Sequence, residues 1–384
     1  MKVDHPIRIN VSRQNAPAGG PWCEHDVMSQ GQVRLFTAPG SPNLQSQLVF
    51  SELVKIKALD KELAWGDVAV LSRTHQSLQP LRALLSDAGV PYELTQRDSV
   101  RGQLQLMRSR EGWAARDWLA QREGRLISLA DFRAWVLDAF NREPTNPYWG
   151  DLAVVADELG GQLDELELPP AAILDALYEA SQDSAQNGDA AAVKLLTAHS
   201  AKGLEFKHVI VMDCGDWRAS DDDRRLLYVA MTRAKQSLTL FRIDNGRNTL
   251  LSDLSTVEGV QSLLPDLLPQ HRPEIQRRYL TYGPKEVALS FAGKQPDGHS
   301  LHRHLRSLTV GSEVLLRNRF FYKTTGEVVG QLAKSVVDFP EGEARGIVKG
   351  VMVRLRSQSK PEYINMLKTD RWEVPLVEFI SKSN

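Results

Sequence analysis

"VKLLTAHSAKGLEFKHVIVMD", Val193 to Asp213, contains two short apolar runs separated by a polar turn. Eleven residues later, "RRLLYVAMTRAKQSLTLF", Arg224 to Phe241, has the pattern of an amphipathic helix followed by another strand. A strand, a helix and a strand in this order form a βαβ unit, whose crossover is right-handed in a parallel sheet. These two stretches therefore predict an α/β fold built on a parallel sheet.

The preceding residues extend the same sheet. "QVRLFTA", Gln32 to Ala38, alternates apolar and polar residues as a strand does, and residues 43–59 have apolar positions at helical spacing. "DVAVLSR", Asp67 to Arg73, is a nearly continuous apolar run of the kind found in buried parallel strands. A helix pattern follows and ends at Gly89, with Pro91 just beyond it.

Changes in pattern along the chain predict its domain organisation. Strand signals disappear over 96–190, where amphipathic helices predominate, and short alternating strands separated by glycine turns fill 285–384. We expect five parts: an irregular N-terminal segment (1–30), an α/β domain (31–95 and 191–250), a helical insert (96–190), a helical or loop linker (251–284) and a small β-rich accessory domain (285–384).

Composition excludes several classes of protein. Apolar residues make up 42% of the chain and charged residues 25%, which is ordinary for a soluble globular protein, and the net charge is −1. Any binding of nucleic acid must therefore come from local patches. Cys23 and Cys214 have no metal-ligand spacing, which argues against a disulfide framework or a metal site. The chain has no apolar run long enough to cross a membrane, so we expect a cytoplasmic protein without a membrane partner.

Polar and charged residues gather where the predicted strands end. Arg73 follows one strand, and "VKLLTAHSAKGLEF", Val193 to Phe206, supplies Thr197, His199, Ser200, Lys202, Gly203 and Glu205. Arg233 lies at the end of the amphipathic helix. Arginine suits a polyphosphate, because its planar guanidinium pairs with two phosphate oxygens and stays charged.

These residues carry a family resemblance. "TAHSAKGLEFKHVIVMD" resembles motif V and "RRLLYVAMTRAK" resembles motif VI of the UvrD/Rep-type superfamily 1 DNA helicases. "DVAVLSRTHQSLQPLRALLSDAGVPYEL" is similar to their motif IV. The resemblance covers about 30–245 and implies the second RecA-like domain of the motor. The helical insert would stand where that family carries its 2B subdomain.

For the nucleotide, the resemblance implies a role at the γ-phosphate of ATP, bound with Mg²⁺ on another RecA-like domain. Arg73 and Arg233 would both reach that phosphate and stabilise the charge that develops during phosphoryl transfer. Glu205 would bond the ribose, and Gly203 would let the backbone come close. A simpler alternative is that Arg73 caps a strand at the surface.

For the nucleic acid, the resemblance implies contacts with single-stranded DNA from the first part of motif V. Thr197 would contact a phosphate, and His199 would stack or hydrogen-bond. Ser200 and Lys202 belong to the same group, although Lys202 could instead close the turn in a structural role. Motif V would then link the nucleotide to the DNA, so that hydrolysis drives translocation.

The chain also departs from the family pattern, because it contains no GxxxxGK[ST] phosphate-binding loop. We therefore expect no ATP hydrolysis from this polypeptide alone. The resemblance implies the C-terminal half of an ATP-dependent DNA helicase of the 3′→5′ type, in repair or recombination, completed by a P-loop domain in the same or another chain. A fragment of a longer product, a subunit of a split motor, and a non-catalytic DNA-binding or regulatory module derived from a helicase remain alternatives.

Overall fold

The structure, a computed structural model, describes residues 25, 33–95, 99–160, 167–183, 191–243, 250–251, 253–257 and 259–382. The irregular segment expected over 1–30 lies outside the described residues, apart from His25. The chain divides into two compact units. The first unit comprises Met1–Leu94 and Asp189–Arg277, and the second comprises Thr95–Gly188 and Arg278–Asn384.

Strands and helices are numbered in chain order. The strands are β1 (Val33–Ala38), β2 (Val68–Ser72), β3 (Tyr92–Leu94), β4 (Ile127–Ser128), β5 (Glu167–Leu168), β6 (Val193–Thr197), β7 (Phe206–Val211), β8 (Ala234–Ile243), β9 (Val260–Leu263), β10 (Arg277–Tyr282), β11 (Glu313–Arg317), β12 (Phe320–Lys323), β13 (Val328–Gln331), β14 (Ala344–Leu355) and β15 (Arg371–Lys382). The α-helices are α1 (Pro42–Leu59), α2 (Gln79–Asp87), α3 (Val100–Gln103), α4 (Arg110–Ala120), α5 (Leu129–Arg142), α6 (Pro147–Gly160), α7 (Pro170–Asp183), α8 (Asp221–Met231), α9 (Ser300–Arg306) and α10 (Pro361–Ile364).

The first unit is built on a seven-stranded sheet in the order β3-β6-β2-β7-β8-β1-β9, with parallel pairing throughout. Every residue of the central strand β2 is buried, and its side chains alternate between the two faces. Val68 and Val70 pack in one core with α1 and α2. Ala69 and Leu71 pack in a second core with Leu227 of α8. Helices thus cover both faces, and the predicted RecA-like α/β fold is confirmed.

The second unit contains a six-stranded sheet in the order β10-β15-β14-β11-β12-β13. The strand pairs β11–β12, β11–β14, β12–β13 and β14–β15 are antiparallel. This separate sheet confirms the predicted β-rich fold of the C-terminal part. The helices of residues 99–183 pack into the same hydrophobic core as these strands, with Phe132 and Leu152 from the helices and Val351 and Phe379 from the sheet. The helical residues and the C-terminal strands therefore share one folding unit.

Gly350 shows how closely a helix and a strand approach in this unit. A Cβ atom at Gly350 of β14 would lie 2.7 Å from the hydroxyl oxygen of Tyr148 on α6. Such a contact is shorter than real Cβ atoms show, so any other residue at this position would require the buried Tyr148 side chain to shift. The glycine therefore leaves room for the Tyr148 hydroxyl against β14.

In the part of the chain that the structure describes, no helix combines the length and the apolar character needed to span a membrane.

The shared core predicts that a destabilising substitution in a helix of residues 99–183 also destabilises the sheet of the second unit. Leu152 of α6 is fully buried, so Leu152→Ala should lower the free energy of unfolding by about 2–5 kcal/mol. Amide hydrogen exchange in β14 should also accelerate, because Val351 and Leu152 belong to one core. The matched control is Val154→Ala on the same helix, where the side chain is 58% exposed and the expected change is within about 0.5 kcal/mol. Unchanged exchange in β14 despite a destabilised α6 would contradict a shared core.

A buried histidine in the first unit predicts a dependence of stability on pH. His208 of β7 is 1% exposed, and its Nδ1 shares a hydrogen bond of 2.8 Å with Ser237 Oγ. Burial lowers the pKa of His208 to about 4, whereas in the unfolded chain it is about 6.5. The unfolded chain therefore takes up the proton first as the pH falls.

We accordingly expect the free energy of unfolding to fall between about pH 6.5 and pH 4, with a contribution from His208 of up to about 3 kcal/mol. Denaturant unfolding of the wild type and of His208→Asn across this range measures that contribution by difference. Parallel pH curves for the two proteins would show that this histidine does not set the slope.

Candidate functional site

The residues singled out from the sequence all lie in the first unit, on the two edges of its parallel sheet. Thr197 ends β6 opposite Ser72 of β2, so both mark the carboxyl edge. Phe206 begins β7 opposite Ala234 of β8, so both mark the amino edge. The chain must therefore cross the full depth of the sheet between β6 and β7, and residues 198–205 make that crossing.

Arg73 lies at the carboxyl edge, directly after β2. Its Nε donates a hydrogen bond of 3.0 Å to Asp223 Oδ1, and the Arg73 side chain is 32% exposed. Asp223 is itself buried, and its other oxygen accepts a hydrogen bond of 2.7 Å from the backbone N–H of Arg218. Among the described residues, the two terminal nitrogens of Arg73 have no partner. Arg73 is thus held in place by one nitrogen and can offer the other two to a ligand.

Thr197 starts the crossing segment and orders its first turn. Its buried hydroxyl and Ser200 Oγ share a hydrogen bond of 2.9 Å, and its Oγ1 also accepts from the Ser200 N–H at 3.3 Å. The carbonyl of Thr197 accepts from the Ala201 N–H at 3.0 Å. Consequently Thr197 stabilises the turn, whereas His199, Ser200 and Lys202 are exposed on it.

Gly203 lies in the second half of the crossing segment. Its φ of +87° is in the left-handed region, where residues with a Cβ atom are strained. A Cβ at this position would meet nothing within 4 Å, so the backbone here faces open space. A glycine is required by the conformation, and the open space leaves room for a ligand to approach the main chain.

Arg233 and Glu205 lie together at the amino edge. The guanidinium of Arg233 donates three hydrogen bonds, to Val229 O at 3.0 Å, to Leu204 O at 3.0 Å and to Thr232 Oγ1 at 3.2 Å. The backbone carbonyl of Arg233 accepts from the Phe206 N–H at 2.9 Å. Arg233 therefore ties the end of α8 to the end of the crossing segment. Beside it, Glu205 pairs with Lys235 at 3.2 Å on the surface.

The structure does not bring Arg73 and Arg233 together. Along the sheet, Arg73 is level with Asp213, whereas Arg233 is adjacent to Glu205, at the other end of β7. At ~3.3 Å per residue, their backbones are about 25 Å apart along the strand direction. Two extended arginine side chains cannot span that distance to meet at one phosphate. This separation does not favour the expectation that both arginines reach the same γ-phosphate, which stays a prediction.

Sequence reasoning missed an acidic network at the carboxyl edge. Asp216 Oδ2 accepts hydrogen bonds from Thr74 Oγ1 at 2.9 Å and from Ser77 Oγ at 2.7 Å, which joins the loops after β2 and β7. Asp223 adds a second link between the same regions through Arg73. The run of three aspartates at the start of α8 was the available signal, but it also suits an ordinary helix start. Beside this network, burial raises the pKa of the Cys214 thiol, which keeps it protonated.

Comparison with known proteins identifies the same segment. Residues 192–241, from β6 to β8, match the family model of the UvrD-like helicase C-terminal domain.

Three relatives give the extent of the similarity. The protein YjcD of Bacillus subtilis (strain 168) is 47% identical over 64 residues, which cover 12% of this chain and 8% of that protein. DNA helicase II of Escherichia coli (strain K12) is 43% identical over 60 residues, which cover 13% and 8%. ATP-dependent DNA helicase UvrD1 of Mycobacterium leprae (strain TN) is 28% identical over 209 residues, which cover 49% and 26%. The matched regions thus span well under half the length of each relative.

The motif order, the parallel RecA-like sheet and these matches agree that residues 192–241 form a UvrD-type helicase C-terminal region.

Proposed function

We propose that the first unit is the C-terminal half of an ATP-dependent DNA motor, with its nucleotide-facing and DNA-facing residues on opposite edges of one sheet. The observation that carries this proposal is the crossing segment 198–205, which runs from the carboxyl edge to the amino edge. The family model of the UvrD-like helicase C-terminal domain matches residues 192–241, which include this segment. A nucleotide at one edge and a DNA strand at the other would both touch the same short stretch of chain.

The amino edge is the part of the unit that suits a nucleotide. Arg233 would stabilise the phosphoryl group, Glu205 would bond the ribose and Gly203 would let the main chain come close. The residues fit this role, because a guanidinium has five N–H donors and three of those of Arg233 are used. Two donors remain for phosphate oxygens.

The rest of the nucleotide site would come from a P-loop domain in the same polypeptide or in another subunit. Bound ATP with Mg²⁺ would supply the phosphoryl group and the metal that neutralises its charge. In the described ranges, no three His, Cys, Asp or Glu side chains are grouped to hold a metal ion, so we assign no Mg²⁺ ligand to this chain.

The carboxyl edge suits a single-stranded DNA backbone. His199, Ser200 and Lys202 are exposed there or on the adjoining turn, and Thr197 orders that turn from beneath. We add Arg73 to this group, because it lies on the same edge and has two nitrogens available. Its bond to Asp223 would orient the guanidinium towards a phosphate rather than leave it free in solvent.

The DNA proposal predicts a defined salt effect. Lys202→Gln should weaken binding of single-stranded DNA and reduce the slope of log K against log salt by about 0.7, because one phosphate contact is lost. Fluorescence anisotropy with a labelled oligothymidylate measures both. Lys55→Gln is the matched control, since Lys55 is an exposed lysine on α1 of the same unit.

Arg73→Gln should also weaken binding of single-stranded DNA, without unfolding the protein. If Lys202→Gln and Lys55→Gln have the same slope of log K against log salt, the DNA does not contact Lys202. The chain could also be combined with a P-loop domain. Single-stranded DNA binding that is then unaffected by added nucleotide would favour the alternative of a non-catalytic DNA-binding module.

The nucleotide proposal predicts that residues 192–241 support ATP hydrolysis when they are part of a complete motor. We expect the isolated chain to show no DNA-stimulated ATP hydrolysis. A chimera of Escherichia coli DNA helicase II, in which these residues replace the corresponding segment, should hydrolyse ATP. Arg233→Ala in the chimera should lower kcat by about 10³-fold, as loss of an arginine finger does.

The matched control is Arg224→Ala, since Arg224 is 71% exposed and pairs with Asp221 within the same helix. An active Arg233→Ala chimera would remove Arg233 from the nucleotide site. Hydrolysis by the isolated chain that depends on Arg233 would overturn the claim that this half is inert alone.

A further inference from the structure

The second unit contains a cleft of about 160 Å³ that the motor proposal does not use. Residues of α4, of α7 and of the turns before α4 and after β14 line it. The lining includes Arg108, Trp113, Arg116, Tyr178, Ser181 and Gln358. Among its lining residues, all of which the structure describes, there is no aspartate or glutamate. The cleft therefore concentrates positive charge without internal compensation.

The two arginines of the lining contact only neutral groups within the described residues. Arg108 approaches the sulfur of Met352 at 3.5 Å. Arg116 donates a hydrogen bond of 3.0 Å to the hydroxyl of Tyr178 and lies 4.2 Å from the centre of the Trp113 ring. Several other arginines of the described residues pair with a carboxylate, as Arg101 does with Asp151. These two guanidinium groups keep their full charge available to a ligand.

A third arginine is bonded to a lining residue of the cleft. Arg354 Nη2 donates a hydrogen bond of 2.9 Å to the carbonyl of Gln358. The Nε of Arg354 is buried and, within the described chain, has no hydrogen-bond partner. Burial lowers the pKa of Arg354, and the neighbouring charge of Arg108 lowers it further. A bound anion would relieve both the desolvation and the repulsion between the two cations.

The aromatic residues hold this charge in a fixed geometry. Trp113 lies between two guanidinium groups, with Arg116 at 4.2 Å and Arg371 at 4.7 Å from its ring centre. Arg371 is neutralised by Asp117 at 2.7 Å, so the unpaired charge is on the cleft side. Tyr178 is 37% exposed and offers part of its ring to the opening. Because both guanidinium groups cover Trp113, the partly exposed ring of Tyr178 is the aromatic surface that could stack on a nucleobase joined to a phosphate.

We propose that this cleft binds a phosphate monoester carried on a nucleoside. A terminal phosphate is close to a dianion, which matches a site with more than one unpaired guanidinium better than a singly charged diester does. The limited volume suits the end of a chain rather than a continuous strand. Two sources share this chemistry: the phosphorylated end of a nucleic-acid strand and a free nucleoside monophosphate. The site lies in the second unit and is independent of the proposed motor function.

The test compares short oligothymidylates that bear a 5′-phosphate, a 3′-phosphate or neither, each with an internal fluorophore. The whole chain should bind one phosphorylated form about tenfold more tightly than the unphosphorylated form. Arg108→Gln and Arg116→Gln should each abolish this preference while leaving binding of the unphosphorylated strand unchanged. Arg142→Gln is the matched control, because Arg142 is 74% exposed in the same unit and paired with Asp138.

Competition with thymidine monophosphate distinguishes the two sources. Displacement at concentrations similar to those of the phosphorylated strand supports a free nucleotide as the ligand, and displacement by the strand alone supports a strand end. Equal binding of the phosphorylated and unphosphorylated strands would overturn the proposal, as would a preference that survives both substitutions. Thermal unfolding of each variant identifies loss of folding, and the two separate arginine variants keep the result interpretable if one of them fails to fold.

Discussion

Parallel pairing of β6, β2 and β7 is the constraint on which the organisation of the first unit depends. Since β6 and β7 run in the same direction on either side of β2, the chain between them must return from the carboxyl edge to the amino edge. Residues 198–205 perform that return, with Thr197 fixing one end and Arg233 the other. A short segment held at both ends transmits a displacement better than a loose loop would. In the proposed motor, this segment would provide a physical route for coupling a ligand at one edge of the sheet to a ligand at the other.

Much of this fold follows from local patterns that are readable in the sequence. The apolar runs of β2, β6 and β7 and the amphipathic pattern of α8 predicted the parallel sheet, because burial on both faces leaves a recognisable signature. Gly203 was recognised from its motif, and its positive φ supplies the physical reason for it. Local sequence patterns were sufficient to predict those elements whose structure depends on residues close together in the sequence.

Relations between distant residues could not be read in this way. The register of the sheet separates Arg73 from Arg233. By resemblance, each of them lies in a motif associated with phosphate. Asp223 and Arg73 are 150 positions apart, and no local pattern indicates their pairing. The same holds for the second unit, where residues 99–183 complete the core of strands that lie more than a hundred positions further along. The cleft lined by Arg108 and Arg116 combines residues of α4, of α7 and of the preceding turn with Gln358 from the C-terminal part, so no single local pattern indicates it.

The bonding of Arg233 carries a consequence for how a motor of this type would work. Its guanidinium already holds Val229 O, Leu204 O and Thr232 Oγ1, so a phosphate would not recruit a free side chain. A phosphate would instead add charge-assisted bonds to a group that is part of the framework of the turn. A bond between the guanidinium and a charged phosphate is stronger than the bonds from the guanidinium to the two uncharged carbonyls. A small movement of the guanidinium towards the phosphate would therefore pull Leu204 and the crossing segment with it. Because the other end of that segment is Thr197, the pull reaches the edge of the sheet where His199 and Lys202 are exposed.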